Sequence, residues 1–302
     1  MVRQPIRIGT RASALALVQA QAVQQALARA GVAVDLCPMT TAGDRMAEAK
    51  GRLEGQGWFT GELEAALMDG RVDLAVHSLK DVPTHFPPGL TLWALSRRED
   101  PADVFIPRKP GTAWAALGPK PRIGTASPRR AAWVKAARSD ATVIPVRGNL
   151  ATRLAKLEAE GWDGLILAAA GIRRLGLWDR VGERFDPVTW VPAPGQGIVA
   201  VEGRADDEEL GELLRQVFHD SAMEPVAVAE RAVLAALGGG CALPLGAYAY
   251  YHDGVLVLVG ALATPAGALR RTEARLSPGE TPEALGARVA CRLAGVEATG
   301  RV

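Results

Sequence analysis

Leu74-Ala75-Val76-His77-Ser78-Leu79-Lys80-Asp81-Val82-Pro83 begins as an apolar run and ends as a polar turn. The run reads as a buried strand. A His, a Ser, a Lys and an Asp lie within five residues at its carboxyl end. In open α/β sheets ligands bind outside the carboxyl ends of the strands. The cluster is therefore a candidate site, and the competing reading is a charged loop stopped by Pro83.

Working outward, the strand belongs to a repeating α/β pattern. Ile6-Arg7-Ile8 reads as a strand, Gly9-Thr10-Arg11-Ala12-Ser13 as a tight turn, Ala14 to Ala30 as a helix and Val32 to Leu36 as the next strand. Ser13 or Thr10 can cap that helix, and its free N–H groups beside Arg11 suit an anion. Met39 to Gly57 is rich in Gly and charge and reads as a long mobile loop, of the kind that serves as a lid or a binding loop. A helix from Thr60 or Gly61 through Met68 leads into the opening stretch. Leu90 to Leu95 is another strand, and Arg97-Arg98-Glu99-Asp100-Pro101 a polar break.

The pattern then restarts. Ile123-Gly124-Thr125-Ala126-Ser127 echoes the first strand and turn, and Glu160-Gly161-Trp162-Asp163-Gly164-Leu165-Ile166-Leu167 parallels Asp69 to Val76. Helices are expected over Arg129 to Arg138 and Ala151 to Glu160, with a strand over Thr142 to Val146. The fold class is thus α/β, with two similar domains and a hinged cleft that sets His77 to Asp81 opposite Ala168 to Ile172. Val191-Pro192-Ala193-Pro194-Gly195-Gln196-Gly197 is a second break, after which Ile198 to Glu202 returns to the first domain. Helices over Asp207 to Phe218 and Pro225 to Leu237 precede three alternating strands and a closing helix, Pro282 to Leu293. The expected domains are 1–98 with 197–218, 99–196, and a small α+β domain over 219–302 with a three-stranded antiparallel sheet.

Composition excludes several classes. The 302 residues are 48% hydrophobic and 23% charged, ordinary for a soluble globular protein, with a net charge of +2. That charge supports neither a general nucleic-acid nor a membrane partner. Met1 to Thr10 holds no long apolar region, so no signal peptide is expected, and no run is long enough for a membrane helix. Three scattered cysteines make neither a disulfide framework nor a zinc site. The expected compartment is the cytoplasm, with no metal. Of the 35 Lys and Arg, 29 are Arg. Base composition explains part of that bias, but Arg11, Arg129, Arg130, Arg147, Arg153, Arg173 and Arg174 fall at strand ends and helix starts. Arginine there suits bidentate binding of several carboxylates or phosphates. No Walker loop is present.

Cys241 follows Gly238-Gly239-Gly240 on a loop able to present its thiol, so a covalent role competes with a core role. Cys291 and Cys37 fit the core. None of His77, His85, His219 and His252 stands in a protease signature. Asp81 is the acid set among the arginines, either stabilising a developing cation on an anionic substrate or neutralising the cleft.

Taken in order, the motifs resemble one family. They are Arg7 to Ser13, His77 to Pro83, Arg97-Arg98-Glu99-Asp100-Pro101, Gly124-Thr125-Ala126-Ser127-Pro128-Arg129-Arg130, Arg147-Gly148-Asn149 with Thr152-Arg153, Ala169 to Gly176, Pro194-Gly195-Gln196-Gly197 and Gly239-Gly240-Cys241. The chain resembles the hydroxymethylbilane synthases, also called porphobilinogen deaminases, from about Arg7 to the C-terminus. The resemblance implies three domains, the first two like periplasmic binding proteins. It implies a transferase of tetrapyrrole (porphyrin and haem) biosynthesis that joins four porphobilinogen molecules head to tail, each losing ammonia, before water releases the linear product.

The resemblance also implies a dipyrromethane cofactor held by a thioether to Cys241. Asp81, Arg11, Lys80, Arg147 and Arg153 would be catalytic. Ser78, Lys80, Asp81, Thr125, Ser127, Arg129, Arg130, Arg147 and Gly148 would bind the cofactor. Arg11, Ser13, Arg153, Ala168, Ala170, Arg174 and Gln196 would bind substrate. A cytoplasmic monomer is implied, with a small-molecule partner only. The sequence departs from the family where Gln56 and Gly61 replace common lysines, leaving Lys50 or Arg52 as substitutes, and where Ala126 replaces a common Ser. The alternatives are a non-enzymatic binding protein for an anionic small molecule and an arginine-rich nucleic-acid binder. Lack of a signal peptide and the presented Cys241 oppose the first. Near-zero net charge and few aromatics at basic sites oppose the second.

Overall fold

The computed structural model describes residues 5–41, 43, 60–240, 242–265 and 267–295. Gln56, Lys50, Arg52 and Cys241 lie outside the described residues. In chain order the elements are β1 (Ile6–Arg11), α1 (Ala14–Arg29), β2 (Val34–Met39), α2 (Gly61–Met68), β3 (Leu74–Ser78), β4 (Leu90–Leu95), β5 (Asp103–Pro107), β6 (Arg122–Gly124), α3 (Pro128–Ala137), β7 (Thr142–Ile144), α4 (Leu150–Ala159), β8 (Gly164–Ala168), α5 (Ala169–Arg174), β9 (Glu183–Arg184), β10 (Val199–Arg204), α6 (Glu208–Val217), α7 (Met223–Ala236), β11 (Leu245–His252), β12 (Val255–Ala263), β13 (Leu269–Arg275) and α8 (Pro282–Ala294). They fall into two compact units, residues 1–99 with 197–224, and 100–196 with 225–302.

The first unit holds a five-stranded sheet in the order β2-β1-β3-β10-β4. β1, β2 and β3 are parallel, and β10 runs antiparallel between β3 and β4. Side chains alternate across a strand. Leu74 and Val76 of β3 join Val199 and Val201 of β10 in the core under α1 and α6, with Val23, Leu27 and Leu210. Ala75 turns the other way, into the core with Leu63 and Leu67 of α2.

The second unit repeats this plan as β7-β6-β8-β5-β9, again with one antiparallel strand, β5, beside the third parallel one. The echo in the sequence is therefore structural. β1 corresponds to β6, β2 to β7, β3 to β8, β10 to β5 and β4 to β9. Gly124, the partner of Gly9 in the echo, is fixed by packing: a Cβ there would meet Leu165 Cδ2 at 2.5 Å and the Trp162 ring at 3.1 Å. The second unit also contains the three-stranded antiparallel sheet β11-β12-β13. Val259 and Ala261 of β12 share one aromatic core with Phe105, Trp114, Phe185 and Trp190.

Two expectations shift in detail. β2 runs on to Met39 through Pro38, which is tolerated because β2 lies at the sheet edge. β5 and β9 were not foreseen. β5 is buried along its whole length although it begins with an aspartate and ends with a proline. Where the chain leaves and re-enters the first unit, Glu99 donates its N–H to the Gly197 carbonyl at 3.1 Å. Gly197 has φ +94°, and a Cβ on it would collide with the Glu99 carbonyl.

Candidate functional site

The opening stretch becomes strand β3 followed by one 3-10 turn, Leu79–Asp81. Three contacts pin the start of this turn in three directions. On one face of the sheet Gln19 Nε2 donates to Ser78 Oγ at 2.9 Å. On the other, His77 Nε2 lies 3.0 Å from Glu202 Oε2, with both side chains buried. In the plane of the sheet Leu79 donates its N–H to the Ile198 carbonyl at 3.0 Å. Leu79 is itself buried, and Val82 N–H closes the turn on the Leu79 carbonyl at 3.1 Å. Lys80 and Asp81, half-buried, follow directly.

Beside this turn, in the same unit, Arg11 ends β1. Ser13 caps α1, its hydroxyl accepting from Ala16 N–H at 3.4 Å, so Ser13 rather than Thr10 is the cap. Thr10 instead donates to the Ala16 carbonyl at 3.2 Å.

The equivalent strand ends of the second unit carry most of the remaining candidates. Thr125 is buried just past β6, and its hydroxyl accepts from Ser127 N–H at 3.2 Å. Ser127 caps α3, accepting from Arg130 N–H at 3.4 Å. Arg129 and Arg130 open that helix and are almost wholly buried. Their partner is Asp103, which is fully buried at the start of β5. Arg129 reaches one Asp103 oxygen at 2.7 Å, and Arg130 Nη2 and Nε reach the other at 2.8 and 3.0 Å. Trp190 Nε1 and Gln196 Nε2 complete the set at 3.2 and 2.9 Å. Burial alone would push the Asp103 carboxyl up, but the two guanidiniums outweigh it and hold it far below the usual carboxylate range. Gln196, fully buried, also donates to the carbonyls of Pro101 and Ala102 and accepts from Arg130. Arg129 Nε is buried with no hydrogen-bond partner among the described residues.

Further along, Gly148 has φ +111°, and a Cβ there would meet Thr152 at 2.7 Å. Arg147 is half-buried in the same turn. Arg153 Nε donates to the Gly148 carbonyl at 2.8 Å, and Asn149 caps α4 by accepting from Thr152 N–H at 2.9 Å. Ala168 ends β8 and Ala170 is buried in α5, the counterparts of Ser78 and Lys80. Arg174 ends α5, whereas Arg173 stacks on Trp178 at 3.8 Å and pairs with Asp100 at 3.4 Å.

Each unit thus gathers its candidates at the carboxyl ends of corresponding strands. Sequence reasoning missed the groups that hold them: Gln19, Glu202, Asp103 and Glu230. Glu230, fully buried in α7, accepts from Gly195 N–H and Ala249 N–H, both at 2.7 Å. The available signal was a charged or amide residue inside an apolar run, as in Ala102-Asp103-Val104-Phe105-Ile106 and Val199-Ala200-Val201-Glu202. Such residues survive burial only with partners.

Within each unit the arginine and hydroxyl donors at the strand ends suit anionic groups, and Asp81 is the carboxylate that follows β3. Among the described residues no helix is long and apolar enough to cross a membrane. Residues 6–212 match the family model "Porphobilinogen deaminase, dipyromethane cofactor binding domain" and residues 226–295 match "Porphobilinogen deaminase, C-terminal domain". A porphobilinogen deaminase from Roseiflexus sp. (strain RS-1) is 43% identical over 97% of this chain and 96% of its own length. Another, from Albidiferax ferrireducens, is 43% identical over 98% of this chain and 95% of its own. An ABC-transporter periplasmic substrate-binding protein from Coxiella burnetii aligns at 15% identity and TM-score 0.44 over 72% of this chain and 93% of that one, a likeness that decides nothing.

Proposed function

The chain belongs to the porphobilinogen deaminase family, and on that premise we propose that it is a hydroxymethylbilane synthase. It would condense four porphobilinogen molecules in turn, forming one carbon–carbon bond and releasing one ammonia each time, and then release the linear tetrapyrrole with water. The observation that carries this reading is identity of 43% over nearly the whole length of the relatives. Those relatives do not favour a non-enzymatic binding protein.

The dipyrromethane group would be attached through a thioether to Cys241, in the third of the domains we propose, 219–302. When bound it supplies the carbon end to which each new pyrrole is joined. The residues at the strand ends fit such a group. It carries several carboxylates and two N–H donors. Those groups would be held by the hydroxyls of Ser78, Thr125 and Ser127, the Lys80 cation, the Arg147–Gly148 turn and the Asp81 carboxylate. The buried, unpartnered Nε of Arg129 is a donor in want of an acceptor. In our reading Arg129 and Arg130 work as a pair locked to Asp103, so they offer their remaining N–H groups in fixed directions.

Arg11, Ser13, Arg153 and Arg174, with the backbone at Ala168 and Ala170, would hold the acetate and propionate groups of the incoming porphobilinogen. Gln196 would act by fixing Arg130. Asp81 would stabilise the positive charge that develops as ammonia leaves, by accepting from the pyrrole N–H. Arg11, Lys80, Arg147 and Arg153 would keep the substrate carboxylates from competing for that charge. We expect the protein to act as a cytoplasmic monomer.

Intact mass of the purified protein tests this. The expected result is an excess equal to two linked pyrrole units, absent in Cys241→Ser. An unmodified mass in protein that turns over porphobilinogen would overturn the covalent claim.

A further inference from the structure

His77 and Glu202 are not surface residues that happen to meet. By strand alternation both point to the α2 side of the first sheet, with Ala75 and Ala200, away from Val76 and Val201. Leu63, Ala66, Leu67 and Val72 line that side, and α2 adds a second carboxylate, Glu64, with the Thr60 hydroxyl beside it. Glu202 Oε1 is buried with no hydrogen-bond partner among the described residues. Loss of the His77 contact would therefore leave the Glu202 carboxylate buried without the one donor these residues give it, which is costly.

We propose that His77 and Glu202 form a buried brace in which Glu202 is a positioning residue, fixing through His77 the turn that carries Asp81. Burial pushes the Glu64 carboxyl up and the Glu202 charge adds to that, against the opposing effect of the Thr60 hydroxyl. The other charged groups on this side are Glu62 of α2, Arg7 and Arg11 of β1, and Arg204 of β10. Arg7 and Arg204 are both engaged by Asp73.

The brace acts where precision matters. His77 lies four residues before Asp81, and the contacts at Ser78 and Leu79 fix the other two directions. Loosening one of three supports moves the carboxylate without removing it. A displacement on the order of 1 Å costs up to about a hundredfold in rate.

The role assigned to Asp81 rests on the proposed activity, and two variants of the full chain test the brace. Glu202→Leu, similar in size but unable to hold His77, is expected to lower kcat about tenfold or more with KM within about twofold. Its intact mass should still show the two-pyrrole excess. Glu202→Gln, which can still accept from His77, is expected to keep most of the wild-type kcat. If Glu202→Leu lowers only the Tm, leaving kcat and KM within twofold, the brace is merely structural and the positioning claim is overturned.

An unmodified mass and no turnover in the wild type would instead defeat the proposed activity, and the positioning role with it.

Discussion

Asp81→Asn is expected to fold normally and to lose at least about a hundredfold in kcat with porphobilinogen, the scale seen when one preorganised charge-stabilising group is removed. The substitution keeps the size of the side chain and one acceptor oxygen. It removes the negative charge and turns the other oxygen into an N–H donor. The fold does not depend on that charge: the turn is closed by the Val82 N–H to the Leu79 carbonyl, and its anchors are Leu79, Ser78 and His77. The Tm should therefore stay within about 2 °C of wild type, as for a substitution that breaks no buried network. Asp81→Ala should be at least as inactive and equally folded. Steady-state kinetics with a thermal melt check both halves. Near-normal turnover in either variant would remove Asp81 from the chemistry. A collapse of the melt would assign it to the fold instead.

Asp103→Asn should do the reverse and damage the fold first. Five N–H donors converge on this one carboxylate, from Arg129, Arg130, Trp190 and Gln196. Removing one partner of a buried ion pair costs about 3–5 kcal/mol, because the charge left behind has no water to replace it. Here two guanidiniums are left. For a unit of this size the loss corresponds to a Tm drop on the order of 10 °C. The sign of its pH dependence follows from the depressed carboxyl. The stabilisation from Asp103 is fully present above the ordinary aspartate range and is lost only as pH falls toward the folded value. The gap between wild type and Asp103→Asn should thus be constant from neutral pH down to about pH 4, and narrow below it. Thermal melts across that range check this. A variant as stable as wild type at pH 7 would show that the cluster is not what holds β5, α3 and the 190–196 segment together.

The parallel strands were legible because each is an apolar run followed by a turn and a capped helix, and because that unit occurs twice. Arg11, Ser78, Asp81, Ser127 and Arg147 were legible because they stand at strand ends and helix caps. β5 was hidden: Asp103 at its start reads as a polar break, and only the arginines that meet it from α3 make its burial tolerable. Glu202 and Gln19 were hidden for the same reason. Their partners, His77 and Ser78, lie 125 and 59 residues away, and no local pattern announces a pairing across such distances.

The order of strands in the first sheet bears on how the protein is made. Among the described residues β4 has a single neighbour in that sheet, β10, which lies between it and β3. β4 ends at Leu95 and β10 at Arg204. At roughly 5–20 residues per second of synthesis, β4 waits on the order of 5–20 s for a strand to pair with. Trp93, Ala94 and Leu95, buried in the finished protein, have no sheet to enter until then. The second sheet needs nothing beyond Arg184, so the downstream sheet can close before the upstream one. Chains arrested on the ribosome with about residue 190 exposed should show protease protection over 103–184 before any appears at 90–95. Protection in the opposite order would mean that β4 finds a temporary partner.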